Sequence, residues 1–185
     1  MIEGRHIGLR AIERMDLPVL LAWRNRPDFR RNFREFRELS EAQQERWYED
    51  RVLADPATHM FAIVERESGT LLGACGLCYI DWVNRSADFS IYIGRDEAYI
   101  DDRYAPDAGE TLLGYAFGEL GLHRVWCEIY GFDQAKQRLL PHLGFALDGR
   151  HRETHWAEGA WHDSLFYGIL DRDFRALRSS GERAA

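Results

Sequence analysis

The order of strand-like and helix-like segments is what most constrains the fold of this 185-residue chain. Between residues 87 and 94, polar residues alternate with aromatic and aliphatic ones, which predicts a strand with one polar and one apolar face. A helix is predicted over residues 106–120, since Pro106 stands near its start, where the missing N–H does little harm. A further strand is predicted at Arg124–Tyr130. The middle of the chain therefore reads strand, helix, strand.

Weaker signals on either side complete the order. Strands are predicted over residues 6–12, 60–65, 71–79, 147–156 and 161–170, and helices after Asp16, after the capping box of Ser40 and Gln43, and over residues 134–143. This order fits neither an all-parallel doubly wound sheet nor a sandwich. We expect an α/β fold of the α+β type, with a mixed, mostly antiparallel sheet of about seven strands and helices on both faces.

Length and charge narrow the class of protein. We expect one domain over residues 1–175 and a polar tail over residues 176–185. No apolar run is long enough to span a bilayer and none near residue 1 is typical of a signal peptide, so we predict no membrane partner and a cytoplasmic location. The net charge of −7 argues against a nucleic-acid partner and suits an amine-bearing one.

The cysteines and histidines do not predict a metal site. Three cysteines form no disulfide framework, and Cys75 and Cys78 would point to opposite faces of one strand, which favours packing. His151 and His155 lie about 13 Å apart along a strand, at ~3.3 Å per residue. His155 and His162 would face each other across a hairpin without a third ligand, so we expect a wall of the acceptor site or a surface pair.

Blocks of sequence from residue 7 to residue 172 agree in order and spacing with a known family. They are Leu9-Arg10, Trp23-Arg24-Asn25, residues 80–94, Tyr115-Ala116-Phe117, residues 120–125, Leu143-Gly144-Phe145, residues 149–153, Gly159, His162-Asp163 and Tyr167-Gly168. Together they resemble the GNAT superfamily of N-acetyltransferases, in the branch of ribosomal-protein N-terminal, spermidine and amino-sugar acetyltransferases. The resemblance implies acetyl-CoA as co-substrate, and members of this branch often form homodimers. The aromatic hairpin around Glu158 and Gly159 would be the interface.

The resemblance implies acetyl transfer between two splayed strands, here residues 87–94 and Arg124–Tyr130. An amine must lose a proton before it attacks, so a carboxylate base is expected, and Asp88 and Glu128 are the candidates. The alternative for each is a strand-end charge or a salt bridge. Backbone N–H groups would bind the thioester oxygen near Ile91, Tyr92 and Ile93.

The loop expected to hold the cofactor's pyrophosphate departs from the family pattern. Family members use a glycine-rich turn that enters a helix N-terminus, whereas this chain has Arg103, Tyr104 and Ala105 there. Asp101 and Asp102 would repel a polyphosphate. Arg103 could supply a charge in place of an N–H contact.

The acid expected to protonate the leaving thiolate is also altered. Leu140 stands where family members commonly have a tyrosine, and Asp133 where an asparagine is usual. Tyr130, Tyr104 and His142 are the candidate substitutes, with packing or solvent exposure as the alternative for each.

The function predicted from these residues is N-acetyl transfer from acetyl-CoA to a primary amine by direct attack. The acceptor would be a protein N-terminus, a polyamine or an amino sugar. The alternative is a catalytically inactive GNAT-fold binding protein with a degenerate cofactor loop. The phenylalanine–arginine stretch 29–37 would either shape the acceptor pocket or, as we favour, pack as an amphipathic loop.

Overall fold

The structure, a computed structural model, describes residues 1–182 and the side chains of residues 1–179. Its centre is an eight-stranded sheet in the order β1-β2-β3-β4-β5-β6-β8-β7. The strands are β1 Ile2–Glu3, β2 Ile7–Ala11, β3 His59–Glu65, β4 Leu71–Asp81, β5 Ser86–Ile93, β6 Arg124–Tyr130, β7 Ala146–Ala157 and β8 Ala160–Leu170. Only β5 and β6 pair in parallel. The predicted mixed, mostly antiparallel sheet is confirmed, with the two-residue β1 as an additional strand.

Helices cover both faces of the sheet, as predicted. They are α1 Leu17–Asn25, α2 Pro27–Arg30, α3 Glu41–Trp47, α4 Tyr104–Gly114, α5 Gln134–His142 and α6 Asp171–Glu182, and π-helical turns at Tyr48–Leu53 and Tyr115–Glu119 extend α3 and α4. Ala62 packs in one buried cluster with α1 and α2, whereas the next residue, Ile63, packs in the other with α4 and α5. Because successive side chains of a strand point to opposite faces, the two clusters lie on opposite sides of the sheet.

One local prediction differs from the structure. Asp16 does not cap α1, because its carboxylate accepts hydrogen bonds from the Arg10 guanidinium at 2.7 and 2.8 Å and from the Glu13 N–H. A charged bidentate pair outcompetes a helix cap for those lone pairs. The first part of the predicted polar tail, residues 176–182, is helical, and residues 183–185 lie outside the described residues. In the described part of the chain, no helix is long and apolar enough to cross a membrane.

The carboxyl-terminal hairpin has the predicted register. Trp156 lies opposite Trp161, with ring centroids 5.2 Å apart, and His155 lies opposite His162. Both tryptophans stay more than half exposed. The pair therefore fixes the hairpin without entering the core.

The cysteines are free thiols that serve packing, as predicted. Cys75 is fully buried in the core cluster of α4 and α5, whereas the Cys78 thiol on the opposite face contacts the Met60 sulfur at 3.8 Å. Burial raises the pKa of the Cys78 thiol to about 12. The side chains of residues 1–179 include no group of three histidine, cysteine or carboxylate side chains that could hold a metal ion.

Candidate active site

A gap opens between β5 and β6. The two strands pair only through Ser86 with Arg124, Ala87 with Val125, and Asp88 with Trp126, and then diverge. Beyond that point β5 pairs with β4 and β6 pairs with β8. Beyond Asp88 and Trp126, the edges of β5 and β6 that face each other are therefore not paired with one another. These are the two splayed strands that the family resemblance implies.

Two carboxylates and two aromatic rings surround one cation where the strands part. The Arg34 guanidinium lies 2.7 Å from an Asp88 oxygen and 3.5 Å from a Glu128 oxygen. The same guanidinium lies 5.7 Å from the ring centre of Tyr79 and 5.8 Å from that of Trp126. We call Asp88, Glu128, Tyr79 and Trp126 the cation cage. Both predicted base candidates therefore lie together, and the salt bridge that was their alternative is also present.

The electrostatics of the cage favour Asp88 as a base. Its side chain is only 7% exposed, whereas that of Glu128 is 25% exposed. Burial raises the pKa of Asp88 above its ordinary value, although Arg34 opposes the shift. A carboxylate whose pKa moves toward neutrality accepts a proton more readily at physiological pH than an ordinary aspartate does.

Of the three candidate acids, Tyr130 is the one that follows a cage residue on its strand. It lies two residues beyond Glu128 in β6 and so on the same face, with its ring stacked on His155 at 3.7 Å between centroids. Burial raises the pKa of Tyr130. The Tyr104 hydroxyl instead donates to Glu65 at 2.8 Å. His142 lies at the C-terminal end of α5 and lines a cavity outside the cage together with Arg103 and Arg178.

The N-terminus of α4 is capped by the chain's own carboxylate. Asp101 accepts hydrogen bonds from the Tyr104 N–H at 3.0 Å and from the Ala105 N–H at 2.7 Å. These are the N–H groups predicted to hold pyrophosphate. The Arg103 guanidinium lies 5.0 Å from the ring centre of Tyr104 and is exposed. Asp101 was expected to repel phosphate by its charge. In the structure it also occupies the Tyr104 and Ala105 N–H groups that a phosphate would need.

A second set of contacts bridges the gap. The Tyr99 carbonyl accepts from the Ile93 N–H at 2.9 Å, and the Tyr99 hydroxyl donates to Asp133 at 3.1 Å. Asp133 also caps α5 by accepting from the Lys136 N–H at 3.0 Å. Since N–H directions alternate along a strand, the Ile91 N–H points to the same side as that of Ile93. Tyr92 faces the opposite side of the sheet from the core of α4 and packs on Phe33 at 5.5 Å.

Residues 6–146 match the acetyltransferase (GNAT) domain family. The chain belongs to this family. It is 26% identical over 173 residues to a spermidine N(1)-acetyltransferase of Vibrio cholerae, covering 91% of this chain and 95% of the relative. A putative ribosomal N-acetyltransferase, YdaF, of Bacillus subtilis is 32% identical over 108 residues, 57% of each protein.

Solved structures agree with this assignment. The Vibrio cholerae spermidine N-acetyltransferase in complex with CoA and spermine superposes with a TM-score of 0.83 and 25% identity, over 91% of this chain and 98% of that one. The protein is therefore an acetyltransferase of a family whose co-substrate is acetyl-CoA.

The residues of this acetyltransferase fit acetyl-CoA on one condition. The gap offers inward-facing N–H groups at Ile91 and Ile93, and the first turn of the eleven-residue helix α4, which contacts Glu65 and Ile7 at the ends of β3 and β2, offers further N–H groups. Two sets of those donors are bonded within the chain, by Tyr99 and by Asp101. Both residues must release them when the co-substrate binds.

Several residues of this acetyltransferase's site were not predicted. Arg34 lies in the stretch 29–37 but was not predicted individually, and no role was predicted for Tyr79, Tyr99 or Lys136. Phe29 and Phe33 of that stretch pack on the domain, as the favoured alternative held, while Arg34 reaches the cage. The available signal for Lys136 was that it is the only lysine. Tyr79 has a left-handed backbone, φ 51°, at an irregularity in β4 that the sequence does not mark.

Proposed function

We propose that the protein transfers an acetyl group from acetyl-CoA to a primary amine of a small cationic molecule, with a polyamine as the acceptor class. The observation that carries this proposal is the cation cage, since its two carboxylates already hold a guanidinium. An acceptor ammonium group has the charge and the hydrogen-bond donors that such a cage binds. Tyr79 and Trp126 add cation–π attraction.

Arg34 is the residue that must move. Its side chain is 44% exposed and belongs to the irregular segment between α2 and α3. Because nearly half of the Arg34 side chain is exposed, the guanidinium can turn into water while an acceptor ammonium takes its place between the carboxylates. Arg34 thus acts as an internal occupant of the acceptor site.

Acetyl-CoA, when bound, supplies the thioester carbonyl that the amine attacks. Asp88 accepts the proton that the ammonium must lose, and Glu128 holds the remaining positive charge of the acceptor. The Ile91 and Ile93 N–H groups face the gap and are the donors available for the carbonyl oxygen. The N–H groups of Tyr104 and Ala105 are the donors available for phosphate once Asp101 leaves.

Two features favour a polyamine over the other acceptors. A chain with a net charge of −7 attracts a polycation more strongly than it attracts a singly charged amino sugar. The cage joins two carboxylates with the faces of two aromatic rings, and both kinds of group attract ammonium groups. The likeness to spermidine acetyltransferases agrees with both. A homodimer and a cytoplasmic location stay predictions.

Calorimetric titration with acetyl-CoA, followed by an assay of released thiol with three acceptors, tests the proposal. The acceptors are spermidine, glucosamine and a peptide with a free N-terminus. We expect micromolar binding of acetyl-CoA and the highest kcat/KM with spermidine. Absence of binding at millimolar acetyl-CoA would overturn the proposal. Binding with faster turnover of the peptide or the sugar would overturn the polyamine assignment alone.

A further inference from the structure

Lys136 is a mostly buried residue that carries a positive charge beside the gap. Its residue is 6% exposed, in the first turn of the nine-residue helix α5. The ammonium lies 5.6 Å from the ring centre of Tyr99. Tyr99 belongs to the segment that follows β5, on the other side of the gap. Burial raises the pKa values of the Asp88 carboxyl and the Cys127 thiol, and the charge of Lys136 opposes both shifts. The Lys136 ammonium therefore lies between residues of β5 and β6.

This charge has no counter-ion within the described side chains. Lys136 takes part in none of the ion pairs among residues 1–179, and its ammonium makes no hydrogen bond there. The nearby Asp133 carboxylate is used by the Lys136 backbone N–H and by the Tyr99 hydroxyl. Among the described side chains, the one buried nitrogen or oxygen without a hydrogen-bond partner belongs to Arg24. The Lys136 ammonium therefore reaches accessible space at the end of a mostly buried side chain, where it can meet an anion.

We propose that Lys136 stabilises the CoA thiolate as it leaves, a role that rests on the proposed function. In the transfer, the ammonium first loses one proton to Asp88 and the amine nitrogen bonds to the thioester carbon. The carbon–sulfur bond then breaks with its electron pair on sulfur, and the second proton of the nitrogen passes to solvent water. The Lys136 ammonium and the positive end of the α5 dipole then face the new anion together. This assignment also accounts for Leu140, which is fully buried in the core and carries no proton to give.

The test compares the binding of CoA with that of desulfo-CoA, which has no thiol, by calorimetry from pH 6 to pH 9.5. The titratable groups that surround the ammonium are Asp88, Cys127, Tyr99 and Asp133, and they are the same for both ligands. In the unmodified protein, we expect the affinity for CoA to rise relative to the affinity for desulfo-CoA as pH rises. The ratio should grow by about tenfold for each unit by which the pKa of the bound thiol is lowered. In Lys136→Met the ratio should stay near one at every pH.

Arg138→Met is the matched control, since it removes an exposed positive charge from the same helix. It should leave the pH-dependent ratio as in the unmodified protein. A ratio that is independent of pH in the unmodified protein overturns the proposal without any variant. An equal loss of affinity for both ligands in Lys136→Met also overturns the proposal, because it would show that the Lys136 ammonium binds a phosphate of CoA and not the sulfur. Failure of both ligands to bind the unmodified protein would overturn the proposed function as well, so the two failures are distinguishable.

Discussion

At the N-terminus of α4, Asp101 accepts hydrogen bonds from the first N–H groups of the helix, and where β5 and β6 last pair, Arg34 lies between Asp88 and Glu128. The first group is an anion at the place expected for phosphate, and the second is a cation at the place expected for an amine. Each charged substrate therefore meets a side chain of its own sign. Binding at both ends is an exchange, in which the chain's own group leaves and the substrate takes its partners.

The two ends differ in how the occupant is held. Asp101 binds N–H groups three and four residues further along the chain, so its contact is local and forms with the helix. Arg34 reaches a carboxylate 54 residues away, and depends on the packing of the segment after α2 against the sheet. We expect the co-substrate end to be governed by helix capping and the acceptor end by tertiary packing.

Asp88→Asn tests the acceptor end with the largest expected effect. Loss of the base should lower kcat by about 10²- to 10⁴-fold, since that is the usual contribution of general base catalysis. Glu128→Gln is the comparison and should act mainly by raising the KM of the amine. Steady-state kinetics against pH measure both. A larger loss of kcat in Glu128→Gln would assign the base to Glu128 instead.

Asp101→Ala tests the co-substrate end. The affinity for acetyl-CoA should rise about tenfold, because a charged acceptor that competes for the N–H groups of Tyr104 and Ala105 is removed. The free energy of unfolding should fall by about 1 kcal/mol, since α4 loses its cap. Asp102→Ala removes the same charge from an exposed neighbour and should change affinity much less. Calorimetry decides, and equal effects of the two variants would show that charge alone matters.

Arg34→Met tests the exchange at the cage, with the smallest effect. The KM of the amine should fall about threefold, because the guanidinium, whose side chain is 44% exposed, no longer competes with the amine for Asp88 and Glu128. Arg34 lowers the pKa of Asp88, so its removal should move the acid limb of kcat/KM to higher pH. Arg37→Met is the control, because Arg37 is exposed and pairs with Glu35 of the same segment. A shift of the acid limb of kcat/KM to lower pH in Arg34→Met would contradict the assignment of Asp88 as base.

Element order could be predicted because it follows from periodicity, and the splayed strands because the family resemblance implies them. Polar and apolar residues alternate in β5, and proline, glycine and the Ser40–Gln43 capping box mark turns and helix starts, which are local signals. Side-chain pairing could not be predicted in the same way. Asp16 was expected to cap α1, but Arg10 on the neighbouring strand β2 binds it instead. Lys136 gave no signal beyond being the only lysine.

The sequence by itself determined the elements, the family frame and the chemical types at the gap, because these depend on residue identity and spacing. Only the tertiary structure decided which charges meet. Arg34, Asp88 and Glu128 come from three separate segments, and whether two charges form a pair depends on distance and burial, which chain position does not encode. The position of the Lys136 ammonium was decided in the same way, since only packing brings its side chain next to Tyr99.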